Sequence, residues 1–288
     1  MSSQCGKLYV VATPIGNLAD FSFRAVDVLK EVDLIAAEDT RHVRMLLQHY
    51  GIANRLVSLH QHNEETASAG LLEKIRGGLD IALVSDAGTP LLSDPGMPLV
   101  RMAKDAGIEV SPIPGACALI AALSAAGLPV SRFIFEGFLP RTSSARKTFF
   151  KERLNCESTW VFYESSHRIL DALKDMSEIL PADRQLVIAR EITKLHETIV
   201  KRRLDEMLEL VESDENMRKG EFVVIVEGAV IDKNNQALSA EHLSVLKTLL
   251  KECSVKTAAA LAAEITGAKK KVLYEAALEM MGKVIGER

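Results

Sequence analysis

The chain has 288 residues, of which 48% are hydrophobic and 26% charged, with a formal net charge of -4. That length favours two domains over one, and the composition suits an ordinary soluble core. The small negative charge excludes a globally basic nucleic-acid binder, so any such partner must be held by local patches.

Leu8-Tyr9-Val10-Val11-Ala12 opens the chain as a strand, and a loop through Pro14, Gly16 and Asn17 follows. Ala25, Val26, Val28 and Leu29 lie at helical spacing within Phe23–Glu31. Residues 32–37 read as a second strand, ending in Glu38-Asp39-Thr40-Arg41. A helix is predicted over 44–50 and stopped by Gly51. A short strand at 56–59 leads into His60-Gln61-His62-Asn63, and a helix over Glu64–Arg76 ends at Gly77-Gly78. Residues 80–84 form a buried strand, 98–105 a helix and 109–112 a strand. Strands alternating with helices at this spacing imply βαβ units and a parallel sheet.

After Pro129 the character changes, and a second α/β unit is predicted. Its strands fall at 133–138, 159–163, 186–190 and 221–226, with 198–200 as part of a hairpin. Its helices fall at 168–180, closed by Pro181, and at 204–211. Asp232 to Gln236 is a polar linker, and the chain from Ala240 onward is read as helical throughout. The expected divisions are therefore 1–130, 131–231 and a helical extension at 237–288.

Residues 116–130 are apolar, but fewer than the about 18 needed to cross a membrane, so they predict a buried helix. The polar start of the chain predicts no secretory leader. Cys5, Cys117, Cys156 and Cys253 are scattered without a Cys-x-x-Cys pair, which argues against zinc and fits the cytoplasm. His60 and His62 lack an evident third ligand, so no metal is expected.

Three loops share one design: a β-like run, then Pro and Gly, then a helical pattern. They hold Pro14, Ile15 and Gly16; Ser85, Asp86, Ala87, Gly88, Thr89 and Leu92; and Pro114, Gly115, Ala116, Cys117 and Ala118. Loops at the carboxyl ends of parallel strands bind ligands, so these read as three walls of one pocket. Neither G-x-G-x-x-G after the first strand nor G-x-x-x-x-G-K-[ST] is present, which argues against dinucleotide and P-loop enzymes. A nucleoside-like ligand with little phosphate remains. Asp86 is open to two readings, ligand contact or a loop cap.

Ordered motifs take the reading further. Thr13-Pro14-Ile15-Gly16-Asn17-Leu18, Ala37-Glu38-Asp39-Thr40-Arg41, Ser85-Asp86-Ala87-Gly88-Thr89-Pro90 and Pro114-Gly115-Ala116-Cys117-Ala118 come first. Gly137-Phe138-Leu139-Pro140, Phe162-Tyr163-Glu164-Ser165-Ser166-His167-Arg168, Ala189-Arg190-Glu191-Ile192-Thr193-Lys194 and the Gly220-Glu221-Phe222 run follow. Together they resemble the tetrapyrrole methylase superfamily, and within it the branch acting on small-subunit ribosomal RNA. The chain departs from that pattern at Ala12 and Ala116, where proline is commoner, and at Leu195-His196. The resemblance implies two α/β domains with S-adenosyl-L-methionine in the cleft between them, a small C-terminal helical extension and a homodimer. It also implies methylation of a cytidine ribose 2′-hydroxyl in the decoding region of 16S rRNA within the small ribosomal subunit.

A ribose hydroxyl is a poor nucleophile, so a base should help. Glu191 is the first candidate and Asp86 the second; Lys194 qualifies only if burial lowers its pKa strongly. Arg190 and Lys194 can hold phosphates or steer the ribose, or form with Glu191 a strand-end salt-bridge set; the resemblance favours the functional reading. Arg141, Arg146 and Lys147, in the densest basic run of an acidic chain, are expected to contact rRNA phosphates together with Arg190; a solvated helix face is the plainer reading. Two other functions stay open at this point: a small-molecule methylase of the same superfamily, and an assembly factor that binds ribosomes without catalysis.

Overall fold

The computed structural model describes residues 5–230, 238 and 240–285. Two compact units result, Met1–Ala229 and Val230–Arg288. The linker read at residues 232–236 lies outside the described residues.

The first unit holds two five-stranded sheets. In the first, β1 (Leu8–Val11), β2 (Leu34–Ala37), β3 (Leu56–Ser58), β4 (Ile81–Val84) and β5 (Val110–Ile113) run in the order β3-β2-β4-β1-β5. Every pairing is parallel. The central strands β2 and β4 are buried along their whole length, which is why they read as unbroken apolar runs. Pro112 lacks an N–H and sits on the edge strand β5, where no second partner needs one.

Helices α1 (Phe23–Glu31) and α2 (Thr40–His49) belong to one face of this sheet, in a core around Ala25, Leu29, Ile35 and Val43. α3 (Glu64–Arg76) and α4 (Met97–Asp105) belong to the other, around Leu71, Ile75, Leu83 and Leu99. α2 starts four residues before the sequence reading placed it. Asp39 accepts the Arg41 N–H at 2.8 Å and so caps the helix, rather than merely ending the strand.

The second sheet contains β6 (Phe133–Phe138), β7 (Thr159–Ser165), β8 (Gln185–Arg190), β9 (Thr198–Arg203) and β10 (Glu221–Val226), ordered β6-β7-β10-β8-β9. Only the β6–β7 pair is parallel. The other three pairings are antiparallel, and β8–β9 is the expected hairpin, with β9 twice as long as predicted. β9 is an edge strand ending in exposed Lys201, Arg202 and Arg203, charges that oppose edge-to-edge pairing.

On one face of this sheet pack α6 (Ser143–Arg153), α7 (Ile169–Ser177) and α8 (Leu204–Ser213), over Phe150, Trp160, Phe162 and Val224. The other face is covered by α5 (Ala118–Ala125) from the first half of the chain. Its Leu119, Ala122 and Leu123 pack with Val161, Val187, Val223 and Ile225. A division at residue 130 therefore separates α5 from the sheet that it covers. α5 is also shorter than the apolar stretch suggested, and its Ile120 is exposed.

The second unit is a small helical body: α9 (Ala240–Leu249), α10 (Val255–Thr266) and α11 (Lys270–Ile285). It is not one continuous helix. Gly267, at φ 73°, ends α10, and a short turn leads to α11. Leu246, Ala258, Ala259, Ala262, Leu273 and Ala277 form its core, where alanines let the helix axes approach closely.

Candidate active site

The loops after β1, β4 and β5 are joined by specific hydrogen bonds. Thr13 and Gly88 exchange backbone bonds of 2.9 and 3.0 Å. The Thr13 hydroxyl donates to the Ser85 carbonyl at 3.2 Å, and the Thr89 hydroxyl to the Ala116 carbonyl at 3.1 Å. Gly115 lies so near that a Cβ there would stand 3.0 Å from the Ala12 Cβ. The strand order β4-β1-β5 explains this convergence, because neighbouring parallel strands deliver their loops to the same edge.

These loops face the second sheet across a cavity of about 460 Å³. A volume of that order suits a small-molecule ligand. Of the residues singled out above, Ile15, Ala87, Gly88, Thr89, Leu92, Cys117 and Ala118 line it. Pro14, Gly16, Ser85, Asp86, Pro114, Gly115 and Ala116 are not among its lining residues. The second sheet contributes Phe138, Tyr163, Ser165, Ile192, Gly220 and Val223, and the β4–α4 loop adds Asp94. Sequence reading did not select these as site residues. Most belong to the quoted motifs, but nothing in their spacing says that they face the first sheet.

Among the described residues, four non-glycine residues have positive φ: Leu91 at 75°, Ser93 at 77°, Glu191 at 51° and Thr193 at 66°. All lie in two loops that flank the cavity. Such backbone costs about 1–3 kcal/mol per residue and persists only where the surroundings enforce it.

In the second of these loops Glu191 accepts from Lys194 Nζ at 2.9 Å and from the Glu221 N–H at 3.0 Å. Lys194 also reaches Glu221 at 3.0 Å. Burial pulls the Lys194 ammonium down, but the two carboxylates outweigh it and hold its pKa above the usual value. Lys194 is therefore a fixed cation and not a base. Burial pushes the Glu191 carboxyl up, but Lys194 and the Glu221 N–H outweigh it, and the net direction is down. Glu191 is thus a clamp that holds Lys194, and a weak proton acceptor. Glu191→Gln is expected to reduce turnover by less than about tenfold, measured at saturating substrate; a loss in the range of about 10²–10⁴-fold would restore it as the base.

Asp86 takes the loop-supporting alternative: its carboxylate accepts the Asp39 N–H at 2.9 Å. It braces the end of β2 against the β4 loop and lies outside the cavity wall. Tyr163 lies across the cavity from that loop, and burial pushes its phenol up to about 12.

The basic segment also departs from expectation. Arg146 is buried, with Nε 2.7 Å from Asp175 and Nη1 donating to the Arg141 carbonyl at 2.8 Å. Lys147 pairs with Glu178 at 2.7 Å, and Arg153 with Glu136 at 2.6 Å. Arg190 is buried too, donating to the Lys219 and His196 carbonyls at 3.1 Å each. In this arrangement the guanidinium groups of Arg146 and Arg190 are turned to partners within the protein and act as internal struts. Arg141 remains exposed, as does Lys151 on α6.

The profile of the family described as Tetrapyrrole (Corrin/Porphyrin) Methylases matches residues 7–208. That of the RsmI C-terminal HTH domain matches residues 236–281. A protein named Ribosomal RNA small subunit methyltransferase I from Escherichia coli O157:H7 is 54% identical over 277 residues, covering 96% of each chain. Its namesake from Pseudomonas aeruginosa is 51% identical over 278 residues, covering 96% of this chain and 99% of its own. A solved diphthine synthase is similar in fold, with a TM-score of 0.59 at 16% identity, over 77% of this chain and 89% of its own. With its loops, its two sheets and its near-complete alignment to those relatives, the chain belongs to the tetrapyrrole methylase family, in the group of ribosomal RNA small subunit methyltransferase I.

Proposed function

We propose that this protein transfers a methyl group from S-adenosyl-L-methionine to the 2′-hydroxyl of a cytidine in the decoding region of 16S rRNA, acting on the small ribosomal subunit. The observation that carries the reading is the cavity between the two sheets, in a chain about half identical to proteins named for small-subunit rRNA methylation. Its wall suits the donor. Gly88 exposes backbone there, and a Cβ would stand 3.2 Å from Ile15 Cγ2. Ile15, Thr89, Leu92 and Ala118 offer a mostly apolar bed for a nucleoside. Bound there, the donor supplies an activated methyl group on a sulfonium. The protein's part is to align donor and acceptor and exclude water, since orientation supplies much of the rate in such a displacement.

Exposed Arg141 and Lys151, together with Lys270 and Lys271 of the helical unit, are the basic groups we assign to the rRNA backbone. The short turn joining α10 to α11 supports a helix-turn-helix role for that unit. We also infer a cytoplasmic homodimer; exposed Phe133 and Ile134 on the edge strand β6 supply apolar surface for a second copy.

The test uses labelled S-adenosylmethionine and small subunits from cells lacking the gene, with nucleosides identified after digestion. A labelled 2′-O-methylcytidine is the expected product. No label on subunits or naked rRNA, with donor binding intact by calorimetry, would overturn the reading in favour of a small-molecule acceptor. Absence of donor binding would point instead to an assembly factor.

A further inference from the structure

Three carboxyl-bearing residues stand around the cavity: Asp94, Glu164 and Glu221. Glu221 is exposed and holds Lys194. Glu164 follows the alternation of β7, which puts it with Trp160 and Phe162 on the face covered by α6 and α7. There it accepts the Ser165 N–H at 2.9 Å and stands 3.3 Å from Arg168. Asp94 differs from both. It is half-buried, and the groups acting on it are Ser85 and Asp86 of its own loop. Its charge is felt by Glu38 at the end of β2 and by Tyr163 on β7. Among the described residues no basic side chain pairs with it.

The loop is tied to its surroundings at its far end. The Glu64 carboxylate accepts the Gly96 N–H, and Leu91 and Ser93 are both fixed at positive φ. Ser93 Oγ lies 3.6 Å from where a Cβ of Gly137 would be, so the loop reaches the second sheet.

We propose that Asp94 is the proton acceptor for the hydroxyl that is methylated, an inference that rests on the reading of this protein as a ribose methyltransferase. Asp94 takes the hydroxyl proton as the oxygen–methyl bond forms, and the electron pair of the breaking methyl–sulfur bond leaves on sulfur. Burial, with the charge of Asp86 added, pushes its carboxyl up to about 6 against the opposing hydrogen bond from Ser85. A base near the working pH is the most effective kind. Glu191 is instead held low by its clamp on Lys194.

Asp94→Asn keeps the shape and removes the base. Turnover on small subunits should fall about 10²–10⁴-fold, while donor affinity by calorimetry stays within about threefold, well under the tenfold that 1.4 kcal/mol represents. Wild-type kcat/KM should fall as pH drops below about 6, because protonation there removes the acceptor. Asp94→Asn should lose that limb, and Asp94→Glu should keep it at a reduced rate. A wild-type profile flat through this range would overturn the assignment, whatever the variants do. So would Asp94→Asn with wild-type turnover, or with donor affinity lost in step with turnover. A wild-type protein that methylates no subunit defeats the functional reading itself, which is a separate result.

Discussion

Replacing Arg146 with alanine is expected to cost about 3–5 kcal/mol of folding stability, the usual result of leaving one half of a buried ion pair uncompensated. The site explains the size. Asp175 is buried and accepts from Ser143 Oγ at 2.6 Å, while Arg146 Nε and Nη2 reach its other oxygen at 2.7 and 2.6 Å. The pair joins α6 to α7 over the core that holds Phe150 and Trp160. Burial pushes the Asp175 carboxyl up, but the Ser143 hydroxyl and Arg146 outweigh it and hold it below the usual range. A carboxyl lowered on folding contributes stability above its unfolded pKa and loses it as pH falls through the folded one. The wild type should therefore weaken in acid, and Arg146→Ala should lose most of that acid dependence. Urea midpoints across pH measure both. Changing both residues together, Arg146→Met with Asp175→Leu, should recover much of the loss, because an apolar pair of similar volume replaces a buried ion pair at little cost. Unchanged stability with weakened binding to small subunits would instead return Arg146 to the rRNA surface.

Gly16→Val should lower methyl transfer by about 10²-fold, the scale of an ångström-sized misplacement of a catalytic constellation, and should weaken donor binding. A Cβ at Gly16 would stand 2.4 Å from Lys194 Cγ and 3.0 Å from Cε. Its φ of 150° is one that side-chain-bearing residues rarely adopt. The added side chain must push Lys194 off Glu191 and Glu221 or part the loops on the two sheets. The unfolding midpoint should fall as well, because a side chain at this φ costs about 1–3 kcal/mol, while losing the partly exposed ion pair adds only about 0–1 kcal/mol. Turnover and calorimetry on the same preparation separate the two effects. Wild-type turnover would show that the first loop and Lys194 need not meet.

The sequence by itself determined the first sheet, its alternation with helices and the three loops that share one edge. Those signals are local: apolar runs of strand length, Gly and Pro at loop starts, and helical spacing between them. β9 was legible for the same reason, as a β-rich run close behind β8. What tertiary structure decided is which charges are free to act. Arg146, Lys147 and Arg190 read as RNA-binding groups, yet each meets an acid or a carbonyl from another element, and for the buried Arg146 and Arg190 that pairing is obligatory. Glu191 read as a base, but its proximity to Lys194 and the Glu221 N–H lowers its basicity. Asp94 follows Leu92 of the β4–α4 loop by two residues, and its role is not legible in sequence, because spacing cannot show that a carboxylate lacks a cation. Desolvation and pairing depend on what the chain brings together across the cleft, and those contacts join residues far apart in sequence.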